Sequence, residues 1–283
     1  MNFNILGKIR EKLAYREIDN LIYSPALKKA YSSCSLSGGT LTGRTVAVTG
    51  VTGGIGRATA ERFIKEGCHV ILIGRDEVRL REIKNEIGNT DTQYAVIDLS
   101  KAECFESTVL SLMAENRIDI WVNCAGIFTE ADRKRRIEEI TRDQFLNMYN
   151  INYRSTILLT EIVAKEMKAR SIRGKIINVA SMVAYDKAFY HTTYGVSKSA
   201  LVSRTRKIAE EYKNDLSIMG IAPGSTVSRM SRLEVGCNIS DSSGGLERFL
   251  IPEEVAATIA FMTSSVGQYL NENIVKIYPY NLS

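Results

Sequence analysis

The feature that most constrains the fold is an alternation of short apolar runs with helix-length amphipathic segments. The apolar runs cover residues 45–49, 69–73, 94–97, 118–122, 175–179 and 216–222, and a seventh covers 273–277. Such runs are typical of strands buried on both faces, and the segments between them supply the helices that cover those faces. The pattern predicts an α/β fold, a doubly wound parallel β-sheet in a single domain.

A glycine-rich turn follows the first run. It contains Gly50, Thr52, Gly53, Gly54, Ile55 and Gly56, and it opens a helical segment that ends before Gly67. Small residues let the backbone approach a pyrophosphate, and a helix N-terminus offers free N–H groups to phosphate oxygens. Because the turn lies between a predicted strand and a predicted helix, we expect a Rossmann fold and cofactor contacts from all six residues.

The end of the second run bears on which dinucleotide binds. NAD sites usually place an acid there, but this chain has Gly74 followed by Arg75, a cation suited to a 2′-phosphate. We therefore expect NADP(H) as the preferred cofactor and NAD(H) as the alternative. Asp98, after the third run, could accept from the adenine amino group or cap the following helix. Its neighbour Leu99 is included among the expected cofactor contacts.

A tyrosine–lysine pair begins a long helical segment. Tyr194 and Lys198 are four residues apart and share one helix face. A free tyrosine has a pKa near ~10, which a neighbouring ammonium lowers toward the range useful for proton transfer. Ser181 lies 13 residues upstream, just past the fifth run. Its hydroxyl could therefore bond the same substrate oxygen as Tyr194.

Taken together, these motifs resemble the short-chain dehydrogenase/reductase family, in its compact single-domain branch. The matching positions are Thr49, Gly50, Gly54 and Gly56 for T-G-x-x-x-G-x-G, Asn123-Cys124-Ala125-Gly126 for N-N-A-G, Asn152, Ser181, Tyr194 and Lys198, and Pro223-Gly224. They occur in family order across roughly residues 44–280. The resemblance implies further cofactor contacts from Asn123, Ala125, Gly126, Tyr194, Lys198, Pro223, Gly224 and Thr226.

The resemblance also implies catalytic roles for four residues. Hydride moves between the nicotinamide and a carbonyl carbon, and Tyr194 exchanges the proton on the oxygen. Ser181 orients that oxygen, and Lys198 lowers the tyrosine pKa and holds the nicotinamide ribose. Asn152 holds a water that links Lys198 to solvent. Family members pair through two long helices, here 144–170 and 192–213, so a homodimer or homotetramer is expected.

The sequence is compatible with more than one function and substrate class. The leading interpretation is an NADP(H)-dependent carbonyl reductase or alcohol dehydrogenase with a small-molecule substrate. A 3-oxoacyl-thioester reductase is an alternative, although the C-terminus lacks the glycine-rich ending common among the family's acyl-carrier-protein reductases. A non-catalytic dinucleotide-binding regulator is the third, and the intact set of acid–base residues argues against it. The long polar segment 228–250 is typical of a lid over substrate.

Charge divides the chain into two parts. The net charge is +5, and residues 1–44 hold seven basic and three acidic side chains. Ile5, Ile9 and Leu13 recur there at helical spacing, which predicts a basic amphipathic N-terminal helical extension and linker over residues 1–43, ahead of a domain over 44–283. This extension could cover the domain, extend a subunit interface, or contact an anionic membrane surface through residues 1–22.

Composition excludes several other classes. No apolar run approaches the roughly 20 residues of a transmembrane span, and the N-terminus lacks the apolar centre of a signal peptide. Five scattered cysteines indicate neither a metal site nor a disulfide framework, so we expect a reduced, cytoplasmic protein. The basic run at 133–136 is followed by glutamates and predicts no nucleic-acid partner.

Overall fold

The computed structural model describes residues 38–87, 91–101, 104–129, 139–186, 192–227 and 250–278. Within these ranges, the strands are β1 Thr45–Thr49, β2 His69–Gly74, β3 Gln93–Val96, β4 Ile120–Asn123, β5 Lys175–Val179, β6 Ser217–Pro223 and β7 Ile274–Ile277. They form one sheet in the order β3-β2-β1-β4-β5-β6-β7, and every neighbouring pair is parallel. The order reverses between β1 and β4, where a doubly wound sheet opens a ligand crevice at the carboxyl ends of its strands.

Helices follow the strands in alternation. The described α-helices are α1 Gly54–Lys65, α2 Glu77–Ile87, α3 Glu106–Glu115, α4 Arg142–Tyr149, α5 Thr156–Ala169, α6 Thr193–Tyr212 and α7 Pro252–Thr263. A π-helical segment, Asn150–Ser155, joins α4 to α5 without a break. A short 3-10 turn, Met182–Ala184, lies between β5 and α6.

The sheet separates two apolar cores. Within β1, Val46 and Val48 belong to the core that contains Phe63 of α1. Ala47, between them, belongs to the other core, together with Leu159 of α5. Because side chains alternate across a strand, a sheet covered on both faces needs apolar residues at nearly every position. This is why the apolar runs in the sequence are continuous.

The predicted α/β, doubly wound fold is confirmed, and all seven predicted runs become strands. β1 and β5 keep their predicted bounds, and the other five differ by one or two residues at an end. A strand begins where its hydrogen-bonded ladder begins: β4 starts at Ile120, opposite Val46 of β1. The helix predicted over 144–170 is continuous over 142–169, but its winding changes from α to π over Asn150–Ser155. Such local changes of helical winding occur often at functional sites.

Several predictions fall outside the described residues. They are the amphipathic helix within residues 1–22, the basic run at 133–136 and most of the lid segment, 228–249. One described residue of the predicted linker, Leu41, is 2% exposed and packs in the core with Phe63. Its carbonyl accepts a hydrogen bond from the Cys68 thiol at 3.2 Å. Among the described residues, we find no helix that combines the length and the hydropathy of a membrane span.

Candidate active site

The glycine-rich turn packs directly against the segment that follows β4. Gly50 has a φ of +72°, and an added Cβ there would lie 2.7 Å from the Cα of Ala125. An added Cβ on Gly56 would lie 2.3 Å from the carbonyl oxygen of Gly50. Neither position has room for a side chain, and the first also has the left-handed backbone that favours glycine. The main chain therefore forms this wall of the crevice.

Helix α1 begins in this turn with its first N–H groups uncapped by side chains. Its N-cap residue, Gly53, is extended (φ −96°, ψ 162°) and makes no side-chain cap. Thr52 and Gly53 are exposed, whereas Gly54 and Ile55 are half-buried. The N–H groups and the positive end of the helix dipole are thus available to an anionic ligand at this point.

Three of the predicted residues converge beyond the end of β4. An added Cβ on Gly126 would lie 3.3 Å from Oδ1 of Asn152 and 3.5 Å from Nζ of Lys198. Asn152 is fully buried, accepts a hydrogen bond from the Ile127 N–H at 2.7 Å and donates to the Ile127 carbonyl at 2.8 Å. Its side chain therefore holds the loop after β4.

Lys198 is a buried ammonium. It is 4% exposed, and its Nζ donates to the carbonyl of Val179 at 2.9 Å, at the end of β5. Burial lowers the pKa of Lys198 to about 8, because removal from water disfavours the charged form. The side chain can therefore change its protonation state near neutral pH, as a proton relay requires.

Ser181 follows β5, the strand whose last carbonyl Lys198 bonds, and Tyr194 lies beside the lysine. The Ser181 hydroxyl accepts from the Val183 N–H at 3.3 Å, which leaves its proton free for another acceptor. The Tyr194 ring centroid lies 5.8 Å from Nζ of Lys198. The structure therefore gathers Asn152, Ser181, Tyr194 and Lys198 around the carboxyl ends of β4 and β5.

Sequence reasoning missed two residues that support Tyr194. Phe128 packs edge-on against its ring, with centroids 5.2 Å apart and an interplanar angle of 89°. Thr192 caps α6, accepting from the Gly195 N–H at 3.0 Å, and so fixes where the helix begins. A threonine before a helical segment is a readable cap, whereas nothing in the sequence pairs Phe128 with Tyr194.

Two residues predicted to contact the cofactor have their side chains committed elsewhere. Asn123 is 2% exposed, and its amide bonds other side chains inside the protein. Leu99 is 9% exposed and packs in a core, and its carbonyl accepts from the Ser155 hydroxyl at 2.6 Å. Both side chains therefore point into the interior, and a cofactor contact by either residue stays a prediction.

Asp98 does not cap the following helix, α3, because the N-cap residue of that helix is Phe105 and no side chain caps it. The Asp98 carboxylate instead bonds Ser100 in the loop after β3. Its Oδ1 accepts from the N–H of Ser100 at 3.0 Å and from the Ser100 hydroxyl at 2.7 Å. Burial opposes ionisation of Asp98, but these bonds outweigh it and lower the pKa of the carboxyl. Both contacts use the same oxygen, so a contact between the carboxylate and an adenine amino group stays a prediction.

Gly74 ends the neighbouring strand, β2, and Arg75 follows it. An added Cβ on Gly74 would lie 3.3 Å from a methyl group of Leu80, so Gly74 packs closely against α2. Arg75 is exposed. The cation therefore lies at the carboxyl edge of the sheet on the same side of the switch point as the glycine-rich turn.

The segment after β6 lies on the other side of the switch point from the glycine-rich turn. Pro223 ends the strand, and Gly224 donates to the carbonyl of Ile277 at 2.7 Å. Thr226 is 7% exposed, and its hydroxyl donates to the Gly224 carbonyl at 2.9 Å. An isolated parallel bridge joins Thr226 to Leu250. The two ends of the predicted lid segment are thus held together at its base.

Cys124 replaces the second asparagine of the N-N-A-G motif. Burial raises its pKa to about 12, so its sulfur remains a neutral thiol at physiological pH. The sulfur lies 4.0 Å from the hydroxyl oxygen of Thr59 on α1. It acts as a small packing residue between β4 and α1.

The residues present fit a dinucleotide. The wall at Gly50 and Gly56 lets a pyrophosphate approach the main chain, and the N-terminus of α1 supplies N–H donors to it. The gap at Gly126, which a Cβ would fill, lies between Asn152 and Lys198. The carboxyl edge of the sheet thus places the residues suited to a pyrophosphate after β1 and the candidate acid–base residues after β4 and β5.

Comparison with known proteins agrees with this architecture. The family model described as short chain dehydrogenase matches residues 44–235. An NAD-dependent glycerol dehydrogenase of Listeria innocua serovar 6a is 28% identical over 244 residues, covering 83% of this chain and 92% of that protein. An acetoacetyl-CoA reductase of an Acinetobacter species is 26% identical over 239 residues, covering 81% and 94%.

A solved structure from Beutenbergia cavernae, provisionally assigned as an NAD(P)-dependent gluconate 5-dehydrogenase, holds NADP at low occupancy. It is 27% identical, has a TM-score of 0.73, and the match covers 84% of this chain and 96% of that one. The chain therefore belongs to the short chain dehydrogenase family. It is an NAD(P)-binding oxidoreductase that acts on alcohol and carbonyl groups.

Proposed function

We propose that this protein is an NADP(H)-dependent carbonyl reductase or alcohol dehydrogenase that acts on a small molecule. The observation that carries the proposal is the placement of buried Lys198 beside Gly126, Asn152 and the ring of Tyr194, at the end of a crevice with a phosphate-binding turn. Family membership supports the reaction type, and the geometry supports the roles of the individual residues.

Each residue has a separate task in this proposal. The nicotinamide, when bound, supplies or accepts the hydride. Tyr194 gives a proton to the substrate oxygen or takes one from it, and Ser181 donates a hydrogen bond to the same oxygen. Lys198 favours the phenolate form of Tyr194 and, with a pKa of about 8, can return a proton to it. Asn152 holds the loop that carries Gly126 and so keeps the lysine site open.

Replacement of Tyr194 tests the proposal. Tyr194→Phe keeps the ring that packs on Phe128 but removes the proton donor. We expect kcat to fall by about 10²- to 10⁴-fold, the usual contribution of a positioned acid–base group, while NADPH affinity measured by fluorescence stays unchanged. The matched control is Tyr269→Phe, which removes a hydroxyl from a side chain that is 85% exposed. Wild-type turnover in Tyr194→Phe would contradict the assignment.

The cofactor preference rests on Arg75. Its guanidinium is proposed to pair with the 2′-phosphate of NADP(H), and Gly74 places no carboxylate beside that phosphate. We expect Arg75→Ser to raise the KM for NADPH by about tenfold or more, the value of one charge-assisted contact, and to leave the KM for NADH unchanged.

Arg117→Ser is the control for net charge. Its side chain is 61% exposed and pairs with Asp119, which precedes β4, so it lies at the opposite edge of the sheet from Arg75. An equal rise in the KM for NADPH in both variants would show that Arg75 does not bind the 2′-phosphate. Equal rises in the KM for NADPH and the KM for NADH in Arg75→Ser would show the same.

The similarity to an acetoacetyl-CoA reductase supports a second candidate, reduction of 3-oxoacyl thioesters. Oxidation of NADPH against a panel of simple ketones, keto-sugars and 3-oxoacyl thioesters separates the two. Turnover confined to the thioesters would replace the first candidate by the second. Assembly as a homodimer or homotetramer through α4–α5 and α6 stays a prediction, which sedimentation velocity can test.

A further inference from the structure

Two asparagines face each other across the middle of the sheet, beneath the proposed active site. Asn123 of β4 and Asn178 of β5 are register partners, and they are 2% and 1% exposed. The Asn123 amide donates to Oδ1 of Asn178 at 2.8 Å. Asparagine is depleted in strands, and a buried amide is costly unless its hydrogen bonds are made. This pair therefore needs a reason beyond sheet formation.

Three more side chains complete the hydrogen bonding of the pair. Trp121 donates from Nε1 to Oδ1 of Asn123 at 2.8 Å. The Thr160 hydroxyl of α5 accepts from Nδ2 of Asn123 at 3.3 Å, and its one proton is shared between Oδ1 of Asn178 at 3.0 Å and the Thr156 carbonyl of its own helix at 2.8 Å. Asn178 donates from Nδ2 to the hydroxyl of Thr205 on α6 at 3.0 Å. We name Trp121, Asn123, Thr160, Asn178 and Thr205 the amide–hydroxyl cluster.

The cluster touches every element that carries a proposed active-site group. Asn178 lies three residues before Ser181 along the chain. Thr160 lies eight residues after Asn152, on the helix that continues the π-helical segment. Thr205 lies seven residues after Lys198 on α6, so the two share a helix face. One buried set of hydrogen bonds thus connects β5, α5 and α6.

We propose that Asn178, Thr160 and Thr205 are positioning residues, which hold the helices of Asn152 and of Tyr194 and Lys198 in register with the strand that ends at Ser181. This inference rests on the proposed function. Apolar packing is not directional and permits small sliding of a helix, whereas a hydrogen bond fixes direction as well as distance. A fully satisfied buried network specifies one arrangement of its elements.

The test removes one hydroxyl with little change of shape. Thr205→Val leaves the Asn178 amide without its partner, whereas Thr205→Ser restores the hydroxyl. Thr160→Val removes the α5 hydroxyl that contacts Oδ1 of Asn178 and Nδ2 of Asn123, so the proposal can be tested even if one variant does not fold. The control is Thr263→Val: Thr263 is also buried, but its hydroxyl bonds only carbonyls of its own helix, α7, on the other face of the sheet.

We expect Thr205→Val and Thr160→Val to lower kcat about tenfold, as small misplacements of reacting groups do, with little change in the KM for NADPH. Thr205→Ser should recover most of this loss. Thr263→Val should lower Tm comparably and leave kcat unchanged. The pH at which Tyr194 ionises, read from the ultraviolet difference between each protein and its Tyr194→Phe counterpart, should rise in Thr205→Val because Lys198 is less well held.

The outcomes separate this inference from the proposed function. If Thr205→Val and Thr160→Val lose stability only, with kcat and the ionisation of Tyr194 unchanged, the cluster is structural and the inference is wrong. If Tyr194→Phe turns over normally, the proposed function fails. The ultraviolet titration still reports whether the cluster positions Tyr194, because it needs no substrate.

Discussion

Burial of the Lys198 ammonium has an energetic cost as well as a chemical use. Its pKa falls from the ordinary value of 10.5 to about 8 because the folded chain excludes water from the charge. A lysine whose charged form is disfavoured by its surroundings can exchange a proton near neutral pH. The same burial makes the folded state less stable wherever the lysine is charged, so function and stability oppose each other at this position.

Lys198→Met should therefore stabilise the protein while abolishing turnover. Below pH 8 both states of the wild type are protonated, and the folded state bears the cost, about 3 kcal/mol for a shift of this size. As pH rises from about 8 to about 10.5 only the unfolded state keeps the proton, so wild-type stability increases and the advantage of the variant shrinks.

Urea unfolding at pH 7 and at pH 10 measures the gain in stability of the Lys198→Met protein and the decrease of that gain at high pH. The control is Lys213→Met, whose side chain is 47% exposed and pairs with Glu210 on the surface. It removes a charge that is not desolvated, so it should not raise stability at either pH. A Lys198→Met protein no more stable than wild type at pH 7 would show that the ammonium is better solvated than its 4% exposure indicates.

At the scale of the element, the start of α1 combines two features that depend on each other. The glycine-rich turn lets the main chain of Gly50 pass against Ala125, and the helix then begins at Gly54 without a side-chain cap. By contrast, α4 begins with a complete capping box between Thr141 and Gln144. A capped start satisfies its own N–H groups, whereas an uncapped start leaves them for a ligand.

Gly56→Ala should disrupt this element. The new methyl would lie 2.3 Å from the Gly50 carbonyl oxygen, which is main chain and cannot rotate away. We expect a loss of about 1–3 kcal/mol in stability, typical of overpacking, and loss of NADPH binding in a fluorescence titration.

Gly53→Ala is the matched control within the same turn. Its backbone is extended, and an added Cβ would meet only the Gly50 carbonyl oxygen at 3.4 Å, an ordinary contact. This variant should unfold at the wild-type temperature. Equal stability of the Gly53→Ala and Gly56→Ala proteins would mean that the turn is more adaptable than its geometry indicates.

At the scale of the whole molecule, one sheet with a core on each face organises both stability and the crevice. The strands are parallel, so their carboxyl ends lie along one edge. That edge carries the glycine-rich turn after β1, Gly126 after β4 and Ser181 after β5. Residues far apart in the chain meet there because the sheet order places β1, β4 and β5 side by side.

Much of this architecture was predictable from local pattern. Continuous apolar runs depend on burial of both strand faces, and glycines in a turn depend on local backbone geometry, so both can be read from the sequence alone. The Tyr194–Lys198 spacing is also local, since residues four apart share a helix face. The positions of Ser181 and Asn152 came from family resemblance rather than from spacing.

The tertiary structure alone decided what each side chain contacts. The Asn123 side chain pairs with Asn178 because register across the sheet places these two opposite each other. Asn152 proved to hold Ile127, and Phe128 to support Tyr194, through contacts between separate elements. The sequence determined the elements and the chemistry available to them. Packing determined which groups lie in the crevice and which are buried, because burial depends on neighbours that are distant in the chain.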